Sequence, residues 1–108
     1  LHIQFEEHYT ELATAIDMIA ERIRAIGYRA PGTFREFAML STIREDEQVP
    51  DAMQMIRNLT DDHETVMRSA RDVLEVCSEA ADEASLDLMT DRLSVHSKTA
   101  WMLRSQLS

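Results

Sequence analysis

Apolar side chains return every three to four residues along three long stretches of this chain, with two interruptions between them. In residues 1–27 the apolar stripe is Phe5, Leu12, Ile16, Ile19 and Ile23. Gly27 predicts the end of that helix, and Pro31-Gly32 reinforces the stop. Residues 50–80 carry a second, broader stripe of Met55, Ile56, Leu59, Val66, Ala70, Val73, Leu74 and Cys77, with Pro50 suited to the first turn. Residues 84–107 carry a third, through Leu86, Met89, Leu93, Ala100, Leu103 and Leu107. Between the first two, TFREFAMLSTI predicts a short helix whose Phe34, Phe37 and Leu40 pack inward or against a second copy. A buried short helix explains a connection of that length.

Composition sharpens this picture. Only two glycines and two prolines among 108 residues favour helices over a sheet, and the class is all-α. There is no internal repeat and no low-complexity segment. Three apolar-faced helices leave one place in a four-helix bundle to be filled by another helix or a partner. The formal charge of -9, from 11 basic and 20 acidic residues, opposes nonspecific DNA binding and favours the attraction of cations. Cys77 is the single cysteine, so the chain has no internal disulfide framework. Among Val73, Leu74 and Ala80 it reads as a buried structural thiol in a reduced, cytoplasmic protein, with an intermolecular bond left open. No apolar run is long enough to predict a membrane span.

The candidate chemistry lies in the first stretch. His2 and Glu6 are four residues apart, as are Asp17 and Glu21, so each pair projects from consecutive turns of one helix face. At ~1.5 Å per residue His2 stands roughly 22 Å from Asp17, which no shared metal site can span. A second copy crossing antiparallel about a twofold axis near Glu11 and Leu12 sets position 2 opposite 21 and position 6 opposite 17. Two equivalent sites result. One imidazole and three carboxylates suit a hard or borderline divalent ion. The same pairs also suit a solvated helix face, and spacing leaves both readings open.

The run LHIQFEEHYTELATAIDMIAERIRAIG resembles the second helix of the Dps family, the dodecameric miniferritins. It has the Leu-His pair, an acidic residue four positions on, and the D-x-x-A-E-R segment as DMIAER. The ending VHSKTAWMLRSQL is similar to that of many Dps-like chains. The resemblance implies ferroxidase ligands at His2, Glu6, Asp17 and Glu21, in a diiron site shared between two subunits. Glu6 stands where aspartate is common. Fe(II) oxidation by hydrogen peroxide, or less effectively by dioxygen, and storage of Fe(III) mineral are implied with it. So are twofold dimers built into a dodecamer.

Family members have a preceding helix with another iron-ligating histidine, and none of that segment stands before Leu1. Residues 1–108 therefore read as a partial ferritin-like domain, three long helices and a short crossover helix. Asp82, Glu83, Asp87 and Asp91 include residues resembling the carboxylates that line threefold pores for incoming iron. Asp87 is the preferred one, and a solvated helix start favoured by the dipole is the alternative. DNA binding is not carried over, because in the family it resembles the action of a basic terminal tail. Two other classes compete: a structural or DNA-compacting assembly with weak ferroxidase activity, and a helical interaction module. The seven methionines read as core filling, since thioethers are too soft for a hard iron site. His63 reads as a hydrogen-bonded structural histidine, His96 as interfacial or solvent-facing, and Trp101 as filling a helix interface.

Overall fold

The computed structural model describes residues 2–107, and among them it is all-α with no strand. Its helices are α1 (His2–Ala25), α2 (Phe34–Leu40), α3 (Ala52–Glu79) and α4 (Glu83–Ser105), three long and one short as the periodicity predicts. Leu1, the first half of the Leu-His pair, and Ser108 lie outside the described residues. The chain forms two compact units, residues 1–40 and 41–108.

In the first unit α1 stops because Gly27 takes φ +99°, a left-handed conformation that costs glycine little. The Tyr28 amide then donates to the Ile23 carbonyl at 3.1 Å and the Gly27 amide to Arg24 at 3.0 Å, a pattern that satisfies carbonyls the helix end would leave bare. Helix α2 begins at a Thr33 side-chain cap. The Glu36 amide donates to the Thr33 hydroxyl oxygen at 3.1 Å, that hydroxyl donates to Glu36 Oε1 at 3.1 Å, and Arg29 joins at 3.2 Å. Desolvation pushes the Glu36 carboxyl up, but the hydrogen bonds from Thr33 and the Gly32 backbone, with the Arg29 charge, hold it below its ordinary value.

The expectation that Phe34, Phe37 and Leu40 pack inward fails within this chain: Phe34 is 92% exposed and Leu40 68%. Glu36 is the partly buried residue of α2. A two-turn helix is oriented here by its polar cap, which leaves its apolar side chains outward.

The second unit is an antiparallel hairpin of α3 and α4 joined at residues 80–82. Asp51, not Pro50, opens α3: its side chain accepts from the Gln54 amide at 2.8 Å, so Pro50 precedes the cap instead of lying in the first turn. The α3 end repeats the α1 ending with a non-glycine residue, Ala81 at φ 55°, and the Asp82 amide donating to the Cys77 carbonyl at 2.9 Å. Asp82 then caps α4, accepting from the Ser85 amide at 3.1 Å and the Ser85 hydroxyl at 2.5 Å.

Burial follows a heptad seam on both helices. On α3 the buried positions are Ile56, Thr60, His63, Ala70 and Cys77, and on α4 they are Ser85, Arg92, His96, Thr99, Ala100 and Leu103. An ion pair of Glu64 with Arg104 at 2.6 Å closes one edge. Cys77 is buried as expected.

Two expectations change on this seam, and one is decided. His96, read as interfacial or solvent-facing, is interfacial: it is 2% exposed and hydrogen-bonded from α4 to His63 of α3. Trp101 falls between the seam positions Ala100 and Leu103 and stays 62% exposed, so no interface within this chain covers it. Val73 precedes the seam-side Leu74 and is likewise exposed. His63 is buried and hydrogen-bonded, in keeping with a structural role.

Candidate metal centre

Helix α1 is unbroken from His2 to Ala25, so the two ligand pairs stay on one rigid rod. At ~100° per residue, His2, Glu6, Asp17 and Glu21 point about 120–180° away from Ala15, the buried residue of α1. All four are exposed, whereas Phe5, Leu12, Ile19 and Ile23 on the Ala15 side are partly buried. Ile16, assigned from sequence to the apolar stripe, is exposed because it falls at the border towards the ligand face. The candidate ligands thus look away from the surface that α1 buries.

The intervening hydroxyls of Thr10 and Thr14 donate back to the carbonyls of Glu6 and Thr10, at 3.0 and 3.3 Å, and so keep the helix polar without leaving its surface. Among the described residues no three His, Cys, Asp or Glu side chains converge closely enough to hold a metal ion. The straight helix explains why His2 and Glu6 do not meet Asp17 and Glu21 in one copy.

An open groove of about 510 Å³ runs along α1, lined by Ile3, Glu6, Glu7, Thr10, Glu11 and Thr14. It gathers two carboxylates, Glu7 and Glu11, beside the candidate ligand Glu6. In the sequence these two carboxylates are marked only by their spacing of four beside Glu6. The donor set, carboxylate oxygens with one imidazole per pairing, fits Fe(II) better than a soft ion.

The second acidic group is on α4. Glu83, Asp87 and Asp91 are all exposed, one turn apart, within about 80° of one another, and so form a single ridge. Asp82 is different: half-buried, its carboxylate is engaged in capping α4. Among the described residues no helix is long and apolar enough to cross a membrane.

A family model described as a ferritin-like domain matches residues 1–108. The chain is 40% identical over 107 residues to a low temperature-induced protein of Nostoc sp., covering 97% of this chain and 60% of that protein. It is 38% identical to DNA protection during starvation protein 2 of Bacillus anthracis, over 100% of this chain and 74% of the relative. A crystal structure of the DPS protein from Vibrio cholerae O1 superposes with a TM-score of 0.94 at 33% identity, over 99% of this chain and 67% of that one. That protein is described as a member of a broad superfamily of ferritin-like diiron-carboxylate proteins. The chain therefore belongs to the ferritin-like family and, within it, to the Dps proteins. It spans 60% of the Nostoc relative's length, so it corresponds to part of that protein.

Proposed function

We propose that this chain belongs to an iron-storing ferroxidase whose substrate site is assembled between two copies. The observation that carries this reading is the face of α1: two pairs of iron-type donors, four residues apart within each pair, turned away from the buried Ala15 side. Antiparallel pairing about Glu11 and Leu12 brings His2 and Glu6 of one copy to Asp17 and Glu21 of the other. Two such sites per dimer follow from the symmetry.

Fe(II) is the substrate. The carboxylates bind it and offset the charge that rises as it becomes Fe(III), while His2 fixes one direction of coordination. Two Fe(II) ions supply the two electrons that reduce one hydrogen peroxide, and hydrolysed Fe(III) is stored as mineral. Glu7 and Glu11 in the adjoining groove, and the Glu83, Asp87 and Asp91 ridge on α4, raise the local cation concentration. The ridge serves as a pore for incoming iron once three copies meet, within a dodecamer built from the twofold dimers. The outward Phe34, Met39 and Leu40 of α2 support self-association. A net charge of -9 does not favour DNA binding by this chain, although some of its relatives are named for DNA protection.

The test is anaerobic Fe(II) binding to the full-length protein, then a stopped-flow peroxide pulse with the assembly mass measured in parallel. Saturable binding near two Fe(II) per subunit and rapid oxidation are expected. His2→Ala or Asp17→Ala should slow the initial oxidation by at least about tenfold, near 1.4 kcal/mol, while assembly persists. Unchanged rates with retained binding reject the assigned ligands.

A further inference from the structure

The α3–α4 seam holds two histidines and an arginine for which the iron chemistry has no use. His63 Nδ1 lies 2.8 Å from His96 Nδ1, with ring centroids 5.0 Å apart and planes tilted by 39°. On the far side of His96, Arg92 Nη2 lies 2.8 Å from Nε2. All three side chains are buried.

The protons can be assigned from these contacts. A guanidinium donates and never accepts, so His96 Nε2 is the acceptor and carries no proton. The single proton of neutral His96 is then on Nδ1 and is donated to His63 Nδ1. His63 must therefore hold its own proton on Nε2. A third proton has nowhere to go: it must either displace Arg92 from His96 Nε2 or crowd a second hydrogen into the 2.8 Å gap between the rings.

We propose that Arg92 is a positioning residue that locks His96 as the Nδ1–H tautomer and His63 as the Nε2–H tautomer, making the three side chains an acid-sensitive clasp between α3 and α4. Other charged groups near them along these helices are Asp61, Asp62 and Glu64 on α3, and Asp91 and Lys98 on α4. Glu64 is paired with Arg104. The acidic neighbours favour an imidazolium through space, but they do not open a position for its extra proton while both hydrogen bonds stand.

In the unfolded chain both rings protonate near the ordinary imidazole value of about 6.5. The folded pair resists that protonation, so its contribution is complete above that pH and is lost as pH falls below it. This is the behaviour of a buried neutral histidine that must charge on acidification.

The experiment is solid-state ¹⁵N NMR of the full-length, iron-free protein labelled at histidine, so its outcome is independent of the ferroxidase reading. Expected are neutral rings with the two stated tautomers, titrating at least about one pH unit below 6.5. An imidazolium or the opposite tautomer at pH 7, or ordinary titration, overturns the proposal. Arg92→Met should free His96 Nε2 and return the titration towards its ordinary midpoint, while Arg92→Lys, which keeps a donor, should restore the tautomers. If Arg92→Met does not fold, the wild-type and Arg92→Lys spectra still decide, since retained tautomers support the clasp and altered wild-type tautomers refute it.

Discussion

Asp82 offers a perturbation that separates a helix cap from a charge. Its carboxylate accepts both the amide and the hydroxyl of Ser85, and the Ser85 side is buried. In Asp82→Ala the amide loses its cap, which costs about 1 kcal/mol, and the buried hydroxyl loses an acceptor, about 1 kcal/mol more. A total near ~2 kcal/mol corresponds to a melting point lower by roughly 8 °C or more for a domain of this size. Asp82→Asn keeps an oxygen acceptor and is itself a favourable cap, so its stability should stay within about 0.5 kcal/mol of wild type. The assay is a thermal melt at fixed protein concentration, with hydrogen exchange of the Ser85 amide read alongside. Protection at Ser85 should drop in Asp82→Ala and persist in Asp82→Asn. Equal melting and exchange in wild type and Asp82→Ala would refute the capping argument. Slower iron uptake in Asp82→Asn, at unchanged stability, would give the same carboxylate a second role in the pore.

Ala81→Gly should stabilise the hairpin by about 1 kcal/mol, because Ala81 sits at φ 55° where a Cβ is strained; urea denaturation showing no gain would contradict this. Burial, then the charges of Asp46 and Asp61, raise the Asp62 carboxyl above its ordinary value of 3.8. The folded chain therefore keeps this proton to higher pH than the unfolded chain, and stability falls as pH rises from about 3.8 through the raised value. Asp62→Asn should be more stable than wild type at pH 7, by a margin that shrinks towards pH 4; urea titrations at both ends that show a constant margin would count against it. Asp87→Asn should slow iron uptake at low ionic strength while leaving Fe(II) affinity at the α1 site unchanged, and equal uptake kinetics would remove Asp87 from the pore.

The local features of this protein were legible in its sequence because they depend on residues a few positions apart. Periodicity gave three long helices and a short one, and Gly27 marked the end of α1 where its φ of +99° reverses the chain. The spacing of His2 with Glu6, and of Asp17 with Glu21, put four donors on one side of α1 for the same reason. Tertiary structure alone decided which sides are buried, since that depends on what packs opposite. Arg92, His96 and Thr99 are polar, yet they occupy the buried seam at heptad positions shared with Ser85 and Leu103. There the two histidines and Arg92 satisfy one another, which makes burial of those polar groups tolerable. Trp101 and Ile16, apolar by composition, fall beside the buried stripes and remain outside. Hydropathy along a chain identifies an amphipathic helix, but partner contacts determine where its buried arc begins and ends.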